Sequence, residues 1–181
     1  MQANIRSLLD DPELSDVVFE VHERRQEDVD KEGDGEGEGE GEERPRLIHG
    51  HRNILSARCR IFRAMFHSGM QEAHSCTVVI REVSYRVFFI MLEYLYTGAL
   101  TAKVSEEDLM LLTGLAEQYQ VQPLKRLCEK RLVRLVDVHN MEQLRAVATQ
   151  LSLSQLAGTC DALSRMTSTR DHHSFKDDSI M

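Results

Sequence analysis

One segment limits the fold more than any other. From about residue 26 to 43 the chain has no apolar periodicity, and residues 33–42 alternate Gly with Glu or Asp. Such a stretch cannot bury enough apolar area to offset its ordering entropy, and its like charges repel. It is expected to be a disordered surface loop, so any core is built from what flanks it. On one side lies Ser15-Asp16-Val17-Val18-Phe19-Glu20-Val21, β-branched and aromatic, with Val17, Phe19 and Val21 on one face. On the other lies Arg46-Leu47-Ile48-His49. Two short strands around a polar insertion predict a hairpin with the acidic loop at its tip, where closure entropy grows slowly with length.

The same segment accounts for most of the net charge. Residues 23–46 carry eleven Asp/Glu and five Lys/Arg, so they supply −6 of the total of −8. The rest is close to balanced, with no basic footprint for nucleic acid, and the acidic block would repel phosphate. Nor does any run approach the roughly 20 apolar residues of a membrane span. The N-terminus lacks the apolar region of a signal peptide, so a cytoplasmic or nuclear protein is expected. Cys59, Cys76, Cys128 and Cys160 form no CxxC pair and read as free, buried thiols.

The remainder is mostly helical in pattern. Ile5, Leu8 and Leu9 suit a brief amphipathic helix, and Arg52–Ala57 and Ile61–His67 read as two short helices, the second ended by Gly69. Thr77-Val78-Val79-Ile80 is a third strand. Ser84 is placed to cap a helix carrying Phe88, Met91, Leu92 and Leu95, which Thr97-Gly98 ends. Ser105 with Glu106-Glu107-Asp108 opens another helix bearing Leu109, Leu112, Leu115 and Ala116. Leu124, Leu127, Cys128, Leu132 and Leu135 continue at helical spacing, and two more amphipathic helices fall at about 140–151 and 152–165. The last fifteen residues read as frayed or disordered. The sum is an α+β fold of few strands and many helices, with a C-terminal helical hairpin.

Six pieces, in this order, resemble the BTB/POZ domain family: Ser15–Phe19, His51–Arg58, Phe62–Phe66, Val78–Ile80, Val87-Phe88 and Leu92–Gly98. The resemblance spans about residues 5–136 apart from the acidic loop. It implies helical hairpins capped by a short three-stranded sheet, with Asp16 and His51 as a buried polar pair near the base of the sheet. Chain organisation then reads as a BTB domain over 1–137 with the insertion at about 26–43, a helical extension over 138–166 and a disordered tail over 167–181. The extension, from Val138-His139-Asn140 through Leu144, Ala146, Leu151, Leu156 and Cys160, is similar to the 3-box (the start of a BACK-like region) of cullin-binding adaptors.

Members that recruit cullin-3 often carry a hydrophobic–any–Glu triplet between the second helical pair and the following strand. Met70-Gln71-Glu72 occupies that place here. By resemblance the cullin surface would comprise Phe66, Met70, Glu72, Tyr119 and Gln120, and a homodimer interface would use Ile5, Leu8, Leu9 and Ile54. The function this implies is an adaptor linking an unknown substrate protein to a cullin-3 ubiquitin ligase. The alternative is a homo-oligomerisation scaffold or transcriptional co-regulator that binds no cullin.

Sharper chemical readings do not hold. His49, His51, His67, His74, Cys59 and Cys76 fit no zinc spacing. Asp28-Val29-Asp30 begins like a calcium loop, but its twelfth position is Gly39, where a bidentate Glu is needed. The Gly/Glu alternation lacks GxGxxG and a following Lys-Ser/Thr, and no hydrolase, zincin or kinase signature occurs. No enzyme activity, cofactor, metal, nucleic acid or membrane is therefore expected.

Overall fold

The computed structural model describes residues 5–23, 44–67, 75–101 and 103–171. The chain divides into two compact units, Met1–Ala102 and Lys103–Met181.

The first unit contains a mixed three-stranded sheet. Strand β1 (Val17–His22) lies between β2 (Arg46–Gly50) and β3 (Thr77–Arg81), antiparallel to β2 and parallel to β3. Phe19 stands opposite Ile48 and level with Val78. Alternation then sends Val17, Phe19 and Val21 to the buried face together with Ile48, Val78 and Ile80. The expected hairpin is therefore formed, since β1 and β2 pair directly; the insertion between them, residues 24–43, lies outside the described residues.

Phe19 is the hub of the core, with its ring centroid 5.5 Å from Phe62 and 5.3 Å from Phe88. Those partners arrive on α1 (Arg52–Arg58), α2 (Arg60–His67) and α3 (Tyr85–Thr97): Phe62 on α2, Phe88 on α3, with Leu55 of α1 beside them in the core. Gly50 suits this spot, because a Cβ on it would stand 3.2 Å from the Phe19 ring, which would have to give by a few tenths of an ångström. Gly98 ends α3 at φ 72°, its N–H donating to the Tyr94 carbonyl at 2.7 Å.

At the N-terminal side Ile5 and Arg6 are helical, and N–H groups of Leu8 and Leu9 donate to the Ile5 and Arg6 carbonyls, in keeping with a brief helix; residues 1–4 lie outside the described residues. Asp10 then takes φ 67° and exchanges hydrogen bonds with the edge of β2: its N–H donates to the His49 carbonyl, and its carboxylate accepts from the His49 N–H. Ser84 sits at the cap position of α3, but its side chain makes no capping bond. Glu23 takes that role, its carboxylate accepting the Tyr85 N–H.

The second unit is helical: α4 (Glu106–Gln118), α5 (Gln122–Val133), α6 (Met141–Gln150) and α7 (Ser154–Asp171). Helix α4 packs on α5, α6 on α7, and α5 on α7. Ser105 caps α4 as expected, accepting from Asp108 N–H at 3.1 Å. Both helical pairs turn through one device. Gln120 and Ser152 each take φ 55°, and the next N–H reaches back to Ala116 and Ala148. Helix α7 runs to Asp171, so the tail expected to begin at 167 is helical for its first residues.

Candidate partner-docking surface

The His51 ring is buried, but its partner is not Asp16. The backbone N–H of His51 donates to the Tyr96 hydroxyl at 2.8 Å, and Nδ1 lies 3.0 Å from the same oxygen. His51 Nε2 has no hydrogen-bond partner among the described residues. Asp16 is exposed, and its Oδ1 accepts the backbone N–H of Arg52 at 2.7 Å. The expected buried Asp16–His51 pair is thus replaced by two separate contacts, for a geometric reason: Asp16 precedes β1 at the rim, where the first amide of α1 is the available donor. Burial, partly opposed by the His51 hydrogen bond, pushes the Tyr96 phenol up to about 12.

Arg52 ties this corner together. Its Nε donates to the Asp16 carbonyl at 3.3 Å, its terminal nitrogen donates to the Ser75 carbonyl, and its guanidinium lies 5.0 Å from the Phe66 ring centroid. Phe66 itself is only 7% exposed and stacks on Phe62 at 5.8 Å. It is a core residue, which leaves little of its ring for a partner. Tyr119, at 7% exposure, is likewise buried, in the second unit; Gln120 beside it is exposed. Met70 and Glu72 lie outside the described residues.

The four expected dimer residues also divide. Ile5 is 41% exposed, and Leu8 and Ile54 are half-buried. Leu9, at 8%, belongs to its own chain's core and offers no interface. Among the cysteines, Cys59, Cys128 and Cys160 are buried, with burial pushing each thiol up, Cys128 to about 11. Cys76 is exposed, contrary to the expectation of four buried thiols, because it precedes β3 at the sheet's margin.

A family model for the BTB/POZ domain matches residues 42–135. The chain belongs to the BTB/POZ domain family. The human Kelch repeat and BTB domain-containing protein 4 is 36% identical over 106 residues, covering 59% of this BTB chain and 20% of the relative. Mouse TD and POZ domain-containing protein 2 is 35% identical over 109 residues, 60% of this chain and 30% of that one. The BTB chain therefore matches only a fifth to under a third of these relatives' length. The BTB domain of zebrafish PATZ1 is 18% identical, covering 66% of this chain and 76% of the other, with a TM-score of 0.45. The family match starts after β1, yet β1 is the central strand of the sheet.

Two polar features of this BTB domain escape sequence reasoning. Arg52 was visible as the residue after His51, but nothing in its neighbours announces that it reaches Ser75. Glu93, buried on α3, accepts from Arg6 Nε and from the Thr101 hydroxyl. The one available signal was its place inside an apolar helical run, where a carboxylate demands a partner. Among the described residues no helix is long and apolar enough to cross a membrane, and no group of three His, Cys, Asp or Glu side chains could hold a metal.

Proposed function

We propose that this BTB chain is an adaptor that joins a substrate protein to a cullin-3 ubiquitin ligase, working in the cytoplasm or nucleus. The observation that carries the reading is positional. In a chain of the BTB family, the triplet Met70-Gln71-Glu72 falls between the end of α2 at His67 and the start of β3 at Thr77. An apolar anchor beside a carboxylate can fill a pocket and fix register. Since Phe66 is buried, the docking energy of the first unit in this reading rests on Met70 and Glu72; in the second unit Tyr119 is buried and Gln120 is exposed. In this reading helices α6 and α7, which fall within the 138–166 extension, would serve as a 3-box-like addition for the cullin.

The second reading, a homodimeric scaffold or transcriptional co-regulator without a cullin, draws on the exposed Ile5 with Leu8 and Ile54 near it in role. The two readings are compatible, because a dimer would present two cullins to one bound substrate and raise effective concentration. Titration of the purified chain against the N-terminal domain of cullin-3 tests the adaptor: it predicts binding that Met70→Ala/Glu72→Ala abolishes. A folded chain that does not bind leaves the scaffold.

A further inference from the structure

We propose that the outer side of α5, with the turn that follows it, is a docking surface for an acidic amphipathic helix of a partner protein. This surface lies wholly within the second unit and is independent of the cullin reading. Arg126, Lys130 and Arg134 recur every four residues, and all three are exposed. Arg134, the C-cap residue, keeps helical backbone and so continues the line. The core face of α5 is Leu124, Cys128 and Leu132. Each cation follows one of these by two residues, about 200° round the helix, so the stripe faces away from the core. Successive charges stand about 6 Å apart along the axis.

Nothing on the helix balances them. Residues 122–136 contain one acid, Glu129, which is buried and holds the Gln155 and Leu156 N–H groups. Other carboxylates of this unit take other partners: Glu117 pairs with Lys125 at 2.8 Å, Asp161 with Arg145, and Glu106 accepts from Asn140. Among the described residues the side chains of Arg126, Lys130 and Arg134 make no ion pair or hydrogen bond. Like charges at i and i+4 oppose the helix, whereas opposite ones support it. The helix dipole favours cations in the last turn, which covers Lys130 and Arg134 but not Arg126. Three cations in line, on a chain of net charge −8, are complementary to carboxylates at the same spacing.

The stripe runs into two apolar side chains, Leu135 and Val138, 42% and 50% exposed. Their turn is tied down. The Asp137 carboxylate accepts the His139 and Asn140 N–H groups at 2.7 and 2.9 Å. Asn140 Oδ1 accepts the Asp137 N–H at 2.8 Å, and its Nδ2 donates to the Leu135 carbonyl at 2.8 Å. Apolar groups on a fixed turn lose little further freedom on binding, which favours a partner helix with an apolar end. Nucleic acid is a poorer fit, since residues 122–140 offer few cations and no Phe, Tyr or Trp to stack on a base.

The probe is a synthetic helical peptide of about 15 residues with Glu at i, i+4 and i+8 followed by Leu, compared with the same residues scrambled. Both are titrated into the full chain, into Arg126→Glu/Lys130→Glu/Arg134→Glu, and into Arg60→Glu/Arg63→Glu/Arg81→Glu, an equal charge change at exposed cations of the first unit. Wild type is expected to bind the patterned peptide at least about tenfold more tightly than the scrambled one. The α5 variant should lose that preference, the first-unit variant should keep it, and a peptide with Lys for Glu should bind the α5 variant instead. If the α5 charge reversal fails to fold, Arg126→Ala/Arg134→Ala takes its place. Val138→Ser should weaken binding about threefold, and unchanged affinity there removes the turn from the surface. Equal affinity for the two peptides, or none in a folded wild type, overturns the proposal. So does stripe-dependent binding of phosphatidylserine vesicles or duplex DNA by a chain that ignores the peptide.

Discussion

The two units of this BTB-family chain use opposite strategies. The first gathers its core around one aromatic hub and holds its periphery by polar contacts between residues far apart in sequence: Arg6 with Glu93, Asp10 with His49, His51 with Tyr96, Arg58 with Leu95. The second repeats leucines at helical spacing and closes its turns locally, through the Ser105 cap and the reversals at Gln120 and Ser152. Its distant polar contacts among the described residues include Asn140 Nδ2 donating to Glu106 and Glu129 of α5, a buried carboxylate whose Oε1 accepts the N–H groups of Gln155 and Leu156 at the start of α7. A small sheet with only three strands cannot close a core by itself and borrows from elements scattered along the chain. Paired helices carry their own ladders and need only be stacked.

That contrast makes the largest effect fall on the hub. Phe19→Ala removes the ring that both Phe62 and Phe88 touch, and should cost about 3–5 kcal/mol in denaturant unfolding. A cost no greater than that of an exposed substitution would mean the sheet side has no single centre. Next comes Tyr96→Phe, which strips the acceptor from the buried His51 N–H and should cost about 1–3 kcal/mol. The pH dependence sharpens it. The folded Tyr96 phenol titrates at about 12, above the ordinary value of 10.0, so its contribution is complete below pH 10 and is lost as pH rises through 12. Unfolding measured across that window should fall less steeply in Tyr96→Phe. Smaller still is Glu129→Ala, which should cost about 0.5–2 kcal/mol, as for loss of a helix cap. The loss should appear as faster amide exchange at Gln155 and Leu156. An equal rise throughout the second unit would show that Glu129 supports the whole helical stack rather than one helix end.

The same contrast explains what the sequence could say. Every helix of the second unit was legible, since Leu109, Leu112, Leu124 and Leu132 recur at helical spacing and all are buried. The strands were legible too, from the alternation of Val17, Phe19 and Val21. Polar partners were not, because periodicity reports which face is buried and says nothing about what a buried polar atom meets. Asp16 was matched with His51 on chemistry alone, whereas the fold gives Asp16 the Arg52 amide and gives His51 the Tyr96 hydroxyl. Ser84 has a good capping side chain, yet Glu23, sixty-two residues earlier, takes the Tyr85 N–H. Phe66 and Tyr119 looked available as contact residues, but an aromatic ring at a helix end packs inward when the core is small. The acidic insertion, read without difficulty from composition, separates β1 from the part of the chain that the family model matches.

The central claim is that this BTB domain engages cullin-3 through the segment between α2 and β3. Calorimetric titration of the whole chain against the cullin-3 N-terminal domain, with Met70→Ala/Glu72→Ala alongside, addresses it most directly. The account predicts saturable binding by the wild type and a loss of at least about tenfold in the variant, a difference of roughly 1.4 kcal/mol. Equal affinity in both chains, or none in a folded wild type, would contradict it.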